Sequence, residues 1–186
     1  MGMIVSILWR GGLAKPVLKY FLDMGFEADY IVNTPRIGDR NLVEELLDLG
    51  RSGSAVIIVK EVREENLFEA LLSIIQLYKD VDSIVIDPKC IKTNYIRQLL
   101  DAGWDTVLVG RGECWPHVVL DKDNNVVRLG SEGEYSIYGG LKLSRGSMEK
   151  VMDILLKSFR VDKEGLNEIF NIFLSKYAYL KAILIP

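Results

Sequence analysis

Five short stretches of almost continuous apolar residues recur along the first 110 residues of the chain. They are rich in Val and Ile, and they span residues 3–8, 28–33, 55–59, 83–86 and 106–109. Unbroken apolarity, in place of apolar–polar alternation, predicts strands that are covered on both faces of a sheet. Between the stretches, apolar residues recur three and four positions apart, which predicts amphipathic helices. Alternation of strand and helix predicts a parallel sheet with right-handed crossovers.

The pattern changes after residue 109. Residues 117–120 and 126–129 flank a turn-rich link and predict an antiparallel hairpin that extends one edge of the sheet. Residues 130–146 hold five glycines and predict a loop, with a short strand at most. Two helices follow, over residues 147–159 and 163–179, with Ser147 and Asp162 as their caps. The last five residues are apolar and predict a tail buried on the core or on a partner chain.

These patterns together predict an α/β fold of the three-layer, Rossmann-like class. Its sheet is mostly parallel, with five or more strands, an antiparallel edge hairpin and two C-terminal helices. We interpret residues 1–186 as a single domain. Residues 1–129 form the sheet with its crossover helices, and residues 130–186 form a Gly-rich loop and a helical appendage.

Composition narrows the class of protein without naming a function. The chain has 186 residues, of which 49% are hydrophobic and 26% charged, as in ordinary globular proteins. Its 23 basic and 26 acidic side chains give a net charge of −3, which argues against a nucleic-acid coat. Two cysteines are too few for a disulfide framework, and no segment resembles a membrane span or a signal peptide. We therefore expect a cytoplasmic protein, and its Glu- and Lys-rich, Gln-poor composition is typical of thermophiles.

Basic residues follow each of the five predicted strands. In open parallel sheets, ligands bind outside the carboxyl ends of the strands, so these residues are expected at one edge. Such an edge attracts a phosphate-bearing small molecule or a short nucleic acid, and the helix N-termini there add partial positive charge. The alternative is ordinary solvated surface. The predicted ligand-binding residues are Arg10, Gly11, Gly12, Arg36, Asp39, Arg40, Lys89 and Arg111.

The loop after the first strand is the candidate phosphate cradle. Its sequence, Trp-Arg-Gly-Gly-Leu-Ala-Lys-Pro, carries two glycines that allow backbone N–H groups to approach a phosphate. It matches neither G-x-G-x-x-G nor G-x-x-x-x-G-K-[ST], which disfavours a dinucleotide cofactor and a Walker-type NTPase. A plain strand-to-helix turn explains the same residues without a ligand.

A second hypothesis is a metal-dependent nuclease or phosphodiesterase. Asp87 directly ends a buried strand, and with Glu113 it can hold Mg²⁺ and polarise a phosphodiester. The structural alternative is that Asp87 begins an Asp-Pro turn. Cys90, Cys114 and His117 offer three ligands where a structural zinc site needs four, so no metal site is assigned to them. A cysteine nucleophile paired with His117 and inert cysteine packing are the other interpretations.

A third hypothesis is a non-catalytic assembly subunit. The apolar tail and the aromatic residues of the last predicted helix suit either the core or a homodimer contact. We expect the chain to form a homodimer.

The overall layout resembles the CRISPR-associated Rossmann-type domains that sense cyclic oligoadenylates. Residues 87–93 read Asp-Pro-Lys-Cys-Ile-Lys-Thr where that family has a Gly-Gly-Thr-Lys-like stretch. The resemblance therefore extends to the layout alone and adds one example of a phosphate-ligand binder.

Overall fold

One mixed sheet of nine strands runs through the protein, and six helices pack on it in the described part of the chain. The computed structural model describes residues 2–50, 55–78, 80–157, 163–177 and 179–186. The strands are β1 (Met3–Leu8), β2 (Asp29–Thr34), β3 (Ile57–Glu61), β4 (Asp82–Ile86), β5 (Thr106–Gly110), β6 (His117–Leu120), β7 (Asn125–Gly130), β8 (Tyr135–Leu143) and β9 (Leu180–Leu184). The helices are α1 (Ala14–Asp23), α2 (Arg40–Gly50), α3 (Leu67–Leu77), α4 (Thr93–Asp101), α5 (Arg145–Lys157) and α6 (Lys163–Lys176).

The first four strands form the parallel half of the sheet in the order β3-β2-β1-β4. Alternate residues of these strands enter two separate apolar cores. Ile4 and Leu8 pack with α3, α5 and α6 on one face, whereas Val5 and Ile7 pack with α1, α2 and α4 on the other. Burial on both faces explains why β1 is apolar at nearly every position.

The predicted mostly parallel, three-layer Rossmann-like sheet is wrong beyond β4. Strand β8 runs antiparallel between β4 and β5, and the full order is β3-β2-β1-β4-β8-β5-β9-β7-β6. Because β6 also pairs with β8, strands β8, β5, β9, β7 and β6 close into a five-stranded barrel. The hairpin β6–β7 therefore belongs to the barrel wall and does not extend a sheet edge. The layout that suggested the cyclic-oligoadenylate sensors is absent.

Two glycines in β8 explain why residues 130–146 were predicted to form a loop. Both sit where the backbone lies against its neighbours. A Cβ on Gly139 would lie 2.5 Å from the carbonyl oxygen of Asp87, and one on Gly140 would lie 2.9 Å from Leu108 Cδ1. The glycines therefore allow close packing inside a strand.

The C-terminal segment also differs from the prediction. The apolar tail forms β9, which pairs parallel with β5 and antiparallel with β7. Strands β8 and β9 thus come from residues that were assigned to a loop and a tail. The first C-terminal helix is capped by Ser144, whose hydroxyl accepts the N–H of Ser147, and Asp162 lies outside the described residues. The assignment of residues 1–186 to one domain stays a prediction.

A buried lysine in the barrel is matched to backbone partners. Lys142 of β8 is 7% exposed, and its ammonium donates to the carbonyls of Leu100 and Ala102 at 2.8 and 2.7 Å. These carbonyls belong to the end of α4, where a cation is favoured by the helix dipole. Burial lowers the pKa of Lys142. Lys142 thus fastens α4 to the barrel.

Only one strand in the described part of the chain has a free edge. Every strand there has at least two neighbours except β3, which pairs with β2 alone. Beside β3, an apolar groove of about 560 Å³ is lined by Ile37 and by residues of β3 and α2, among them Val43 and Leu47. Separately, no described helix has the length and apolarity needed to cross a bilayer.

Candidate functional site

The strand order places a crevice at the carboxyl end of β1. From β1 the chain moves outward to β2 and β3, and then returns to β4 on the other side of β1. Such a point of reversal is where open α/β sheets bind ligands. The loops that follow β1 and β4 therefore form the centre of the candidate site.

Three successive residues after β1 have left-handed backbone conformations. Their φ angles are 50° at Arg10, 61° at Gly11 and 99° at Gly12. Glycine accepts this region freely, but Arg10 is a strained position, of the kind that clusters at functional sites. Trp9 is right-handed helical, so Trp9 and Arg10 form a right-then-left pair, a turn of the kind that binds anions. The Trp9 N–H itself donates to the carbonyl oxygen of Asn33 at 2.8 Å, so the N–H groups that follow it are the ones that can face a ligand.

The Arg10 side chain spans the crevice to Asp87. Its Nη2 lies 2.6 Å from Oδ2 and its Nε 3.1 Å from Oδ1, a bidentate charge-assisted pair. Oδ1 also accepts the N–H of Lys89 at 3.0 Å. The Asp87 side chain is 9% exposed, so this pair is largely shielded from water. Asp87 thus holds Arg10 at the crevice, and it also begins the Asp-Pro turn that was the structural alternative.

Two further carboxylates approach the same loop. The backbone N–H of Arg10 donates to Glu65 Oε1 at 2.8 Å. Glu45 of α2 places Oε2 3.8 Å from where a Cβ on Gly12 would lie, and that buried oxygen has no hydrogen-bond partner among the described residues. Three carboxylates therefore approach the loop, and the sequence predicted only Asp87 among them as a site residue. Glu65 directly precedes Asn66, the N-cap of α3. Its position in the loop after β3, at the carboxyl edge of the sheet, is the sequence feature that could have identified it as a site residue.

Arg36, Asp39 and Arg40 lie together beside this crevice. They line an open cavity of about 690 Å³ formed by residues 35–40 and Glu61. Both arginines are exposed, while Asp39 Oδ1 accepts the N–H of Asn41 at 3.0 Å near the start of α2. Because β2 is adjacent to β1, this cavity lies at the same edge of the sheet as the Arg10 loop. Asp39 thus caps α2.

Arg111 lies away from these groups. It follows β5, which is four strand spacings from β2, or about 19 Å at about 4.8 Å per spacing. Arg111 pairs with Glu134 at 2.6 Å and lies over the Tyr135 ring. A hydrogen bond with Tyr135 and the charge of Glu134 raise the pKa of Arg111.

A disulfide joins the loops after β4 and β5. Cys90 and Cys114 are bonded to each other, with their Cα atoms 6.3 Å apart. Both residues are partly exposed. The sulfurs are therefore committed to each other and not to a zinc ion or to His117. The bond brings the loop of Glu113, which is exposed, against the loop of Asp87 and Lys89. A catalytic role for Asp87 with Glu113 stays a prediction.

Neither a family model nor a curated protein sequence matches the chain. Solved structures of nucleotidyltransferases share its fold over nearly its whole length. The inositol-1-phosphate CTP transferase from T. maritima is 15% identical with a TM-score of 0.63, over 99% of this chain and 85% of that one. A putative glucose-1-phosphate thymidylyltransferase from Bacillus anthracis is 12% identical with a TM-score of 0.61, over 100% and 86%.

A third similar structure is the 4-diphosphocytidyl-2C-methyl-D-erythritol synthase from Anaerococcus prevotii. It is 13% identical with a TM-score of 0.59, over 98% of this chain and 86% of that one. At these identities the likeness establishes the fold alone. The mixed sheet with β8 inserted is thus an architecture that this chain shares with nucleotidyltransferases.

Proposed function

We propose that the crevice between β1 and β4 binds a phosphate group of a nucleotide or a sugar phosphate. One observation carries the proposal: the anion-binding turn at Trp9 and Arg10 lies where the strand order reverses, with the Arg10 guanidinium beside it. Asp87 engages Nε and Nη2 of Arg10, and a guanidinium has five N–H donors, so Nη1 can still donate to a phosphate. The backbone N–H and the side chain of Arg10 then bind the same ligand.

The surroundings support a ligand larger than phosphate. The cavity lined by Arg36, Arg40 and Glu61 lies at the same edge of the sheet as the crevice and gives room for a second charged or sugar portion. The similar structures are named for CTP, thymidylyl, inositol 1-phosphate and glucose 1-phosphate chemistry, all of them phosphate-bearing. We therefore favour nucleotides and sugar phosphates over dinucleotide cofactors.

Binding of CTP, dTTP and glucose 1-phosphate, with and without Mg²⁺, tests the proposal by calorimetry. Arg10→Gln is expected to weaken binding at least tenfold, because a hydrogen bond to a charged group contributes about 1.5–3 kcal/mol. The matched control is Arg97→Gln, which removes the same charge from an exposed pair with Asp101 on α4.

Arg10→Gln also leaves the shielded Asp87 carboxylate without its partner. The double variant Arg10→Gln/Asp87→Asn removes both charges, so that no shielded charge is left unpaired. A loss of binding in this variant can then be told apart from a loss of folding. Full-affinity binding by the folded double variant would contradict the proposal, as would the absence of binding by the native protein to every compound.

A second candidate function is nucleotidyl transfer at the same crevice. Asp87, at the reversal point and 9% exposed in its side chain, is the observation that favours it. An oxygen of the sugar phosphate would bond to the α-phosphorus of the nucleoside triphosphate, while that phosphorus loses its bond to the departing pyrophosphate. Release of pyrophosphate from CTP or dTTP with glucose 1-phosphate and Mg²⁺ tests it. Asp87→Asn is expected to abolish release, and binding without release leaves the protein a binder.

We also infer a homodimer through the free edge of β3. Among the described strands, only β3 has an unpaired edge, and the apolar groove lies beside it. Antiparallel pairing with a second copy would pair this edge and cover the groove. The neighbouring Lys60 and Glu61 give the strand charges of opposite sign, which suit a two-fold arrangement. An assembly role through β3 is therefore compatible with ligand binding in the crevice between β1 and β4.

A further inference from the structure

We propose that Glu65 occupies the phosphate position of the crevice and that the ligand must displace it. This inference rests on the proposed phosphate-binding function and assigns a regulator of affinity to that site. Its basis is the 2.8 Å hydrogen bond from the Arg10 N–H to Glu65 Oε1.

A carboxylate oxygen on a backbone N–H resembles a phosphate oxygen in charge and in hydrogen bonding. The N–H of Arg10 points out of the right-then-left turn formed with Trp9, which is the geometry that binds anions. Glu65 therefore shows where an anion sits on this loop. A phosphate and the Glu65 carboxylate cannot accept the same N–H, and their negative charges repel each other.

The local structure allows Glu65 to leave without unfolding its helix. Its neighbour Asn66 caps α3, with Oδ1 accepting the N–H of Glu69 at 2.9 Å, which anchors the backbone. The Glu65 side chain itself is only partly buried. Rotation about its side-chain bonds is thus enough to vacate the Arg10 N–H.

The carboxylates that approach the loop make displacement costly. Asp87 already engages the Arg10 guanidinium, and Glu45 approaches Gly12, so Glu65 adds a third carboxylate near the incoming ligand. Its removal lowers the repulsion and frees the N–H. The native side chain accordingly reduces affinity and keeps the site closed to weakly bound anions.

Calorimetric titration with CTP and with inorganic pyrophosphate tests the inference. Glu65→Ala, which removes both the charge and the acceptor, is expected to tighten binding about tenfold. Glu65→Gln, which keeps a neutral acceptor, is expected to bind with an affinity between those of Glu65→Ala and the native protein. Glu44→Gln removes the same charge from an exposed position on α2 and is expected to leave affinity unchanged.

The outcomes separate this inference from the function on which it rests. Tighter binding by Glu65→Ala than by the native protein supports displacement. Unchanged or weaker binding by a folded Glu65→Ala variant overturns displacement, while loss of binding in Arg10→Gln still upholds the site. If neither the native protein nor any Glu65 variant binds either probe, the phosphate site and the displacement both fail. Thermal unfolding without ligand verifies that each variant is folded.

Discussion

Gly139 fixes the position of Asp87 through its backbone. Its φ is +76°, and its carbonyl oxygen accepts the N–H of Asp87 at 2.8 Å. A Cβ at this position would lie 2.5 Å from the Asp87 carbonyl oxygen and 2.9 Å from the N of Ile91. Both the left-handed conformation and the lack of space therefore require glycine here.

We expect Gly139→Ala to lower the free energy of unfolding by about 3 kcal/mol, through strain and overlap with the β4 loop. Urea unfolding measures the loss. Gly103→Ala is the control, because its Cβ would meet nothing within 4 Å. A Gly139→Ala variant as stable as the control would show that the β4 loop adjusts without cost.

Single residues of the site were only partly predictable from the sequence. Arg10, Gly11 and Gly12 follow a strand that its apolar run marks clearly, so their place at the carboxyl edge could be predicted. The position of Glu65 at the carboxyl edge could be predicted, but its contact with Arg10 could not, because the two residues are 55 positions apart. Contacts of that kind depend on strand order, which apolar patterns do not determine.

At the scale of elements, the predictable strands were those buried on both faces. Strands β1, β2 and β4 each hold three consecutive apolar residues, and the helices between them have regular apolar spacing. Strand β8 carries two glycines and a buried lysine, so its pattern resembles a loop. The Cys90–Cys114 bond was missed for a related reason, since the proximity of the two loops depends on β8 lying between β4 and β5.

Reduction of the Cys90–Cys114 bond is expected to lower the free energy of unfolding by about 3 kcal/mol. The estimate follows from the entropy of closing a loop with a sequence separation of 24 residues. Urea unfolding with and without a dithiol reductant measures it. The double variant Cys90→Ser/Cys114→Ser should be insensitive to the reductant. Equal midpoints for the native protein in both conditions would contradict the expectation.

For the whole molecule, the free edge of β3 predicts self-association. Size-exclusion chromatography with light scattering should give a dimer for the native chain. Leu47→Glu, at an exposed position in the groove beside β3, should give a monomer because it places charge in the apolar contact.

The control for this experiment is Leu156→Glu. Leu156 lies on α5, is 76% exposed and does not line the groove, so the dimer should persist. A monomeric native protein would rule out the β3 interface, and a dimer that survives Leu47→Glu would place the contact elsewhere.

The insertion of β8 between β4 and β5 also determines the order in which strands can pair while the chain is being synthesised. Strands β4 and β5 are made within residues 82–110, but the strand that joins them ends at Leu143. Both therefore present unpaired backbone edges while at least 30 more residues are added, and such edges promote association between chains. The barrel closes later still, when β9 has been made. Nascent chains stalled between these points are the ones for which a chaperone would matter.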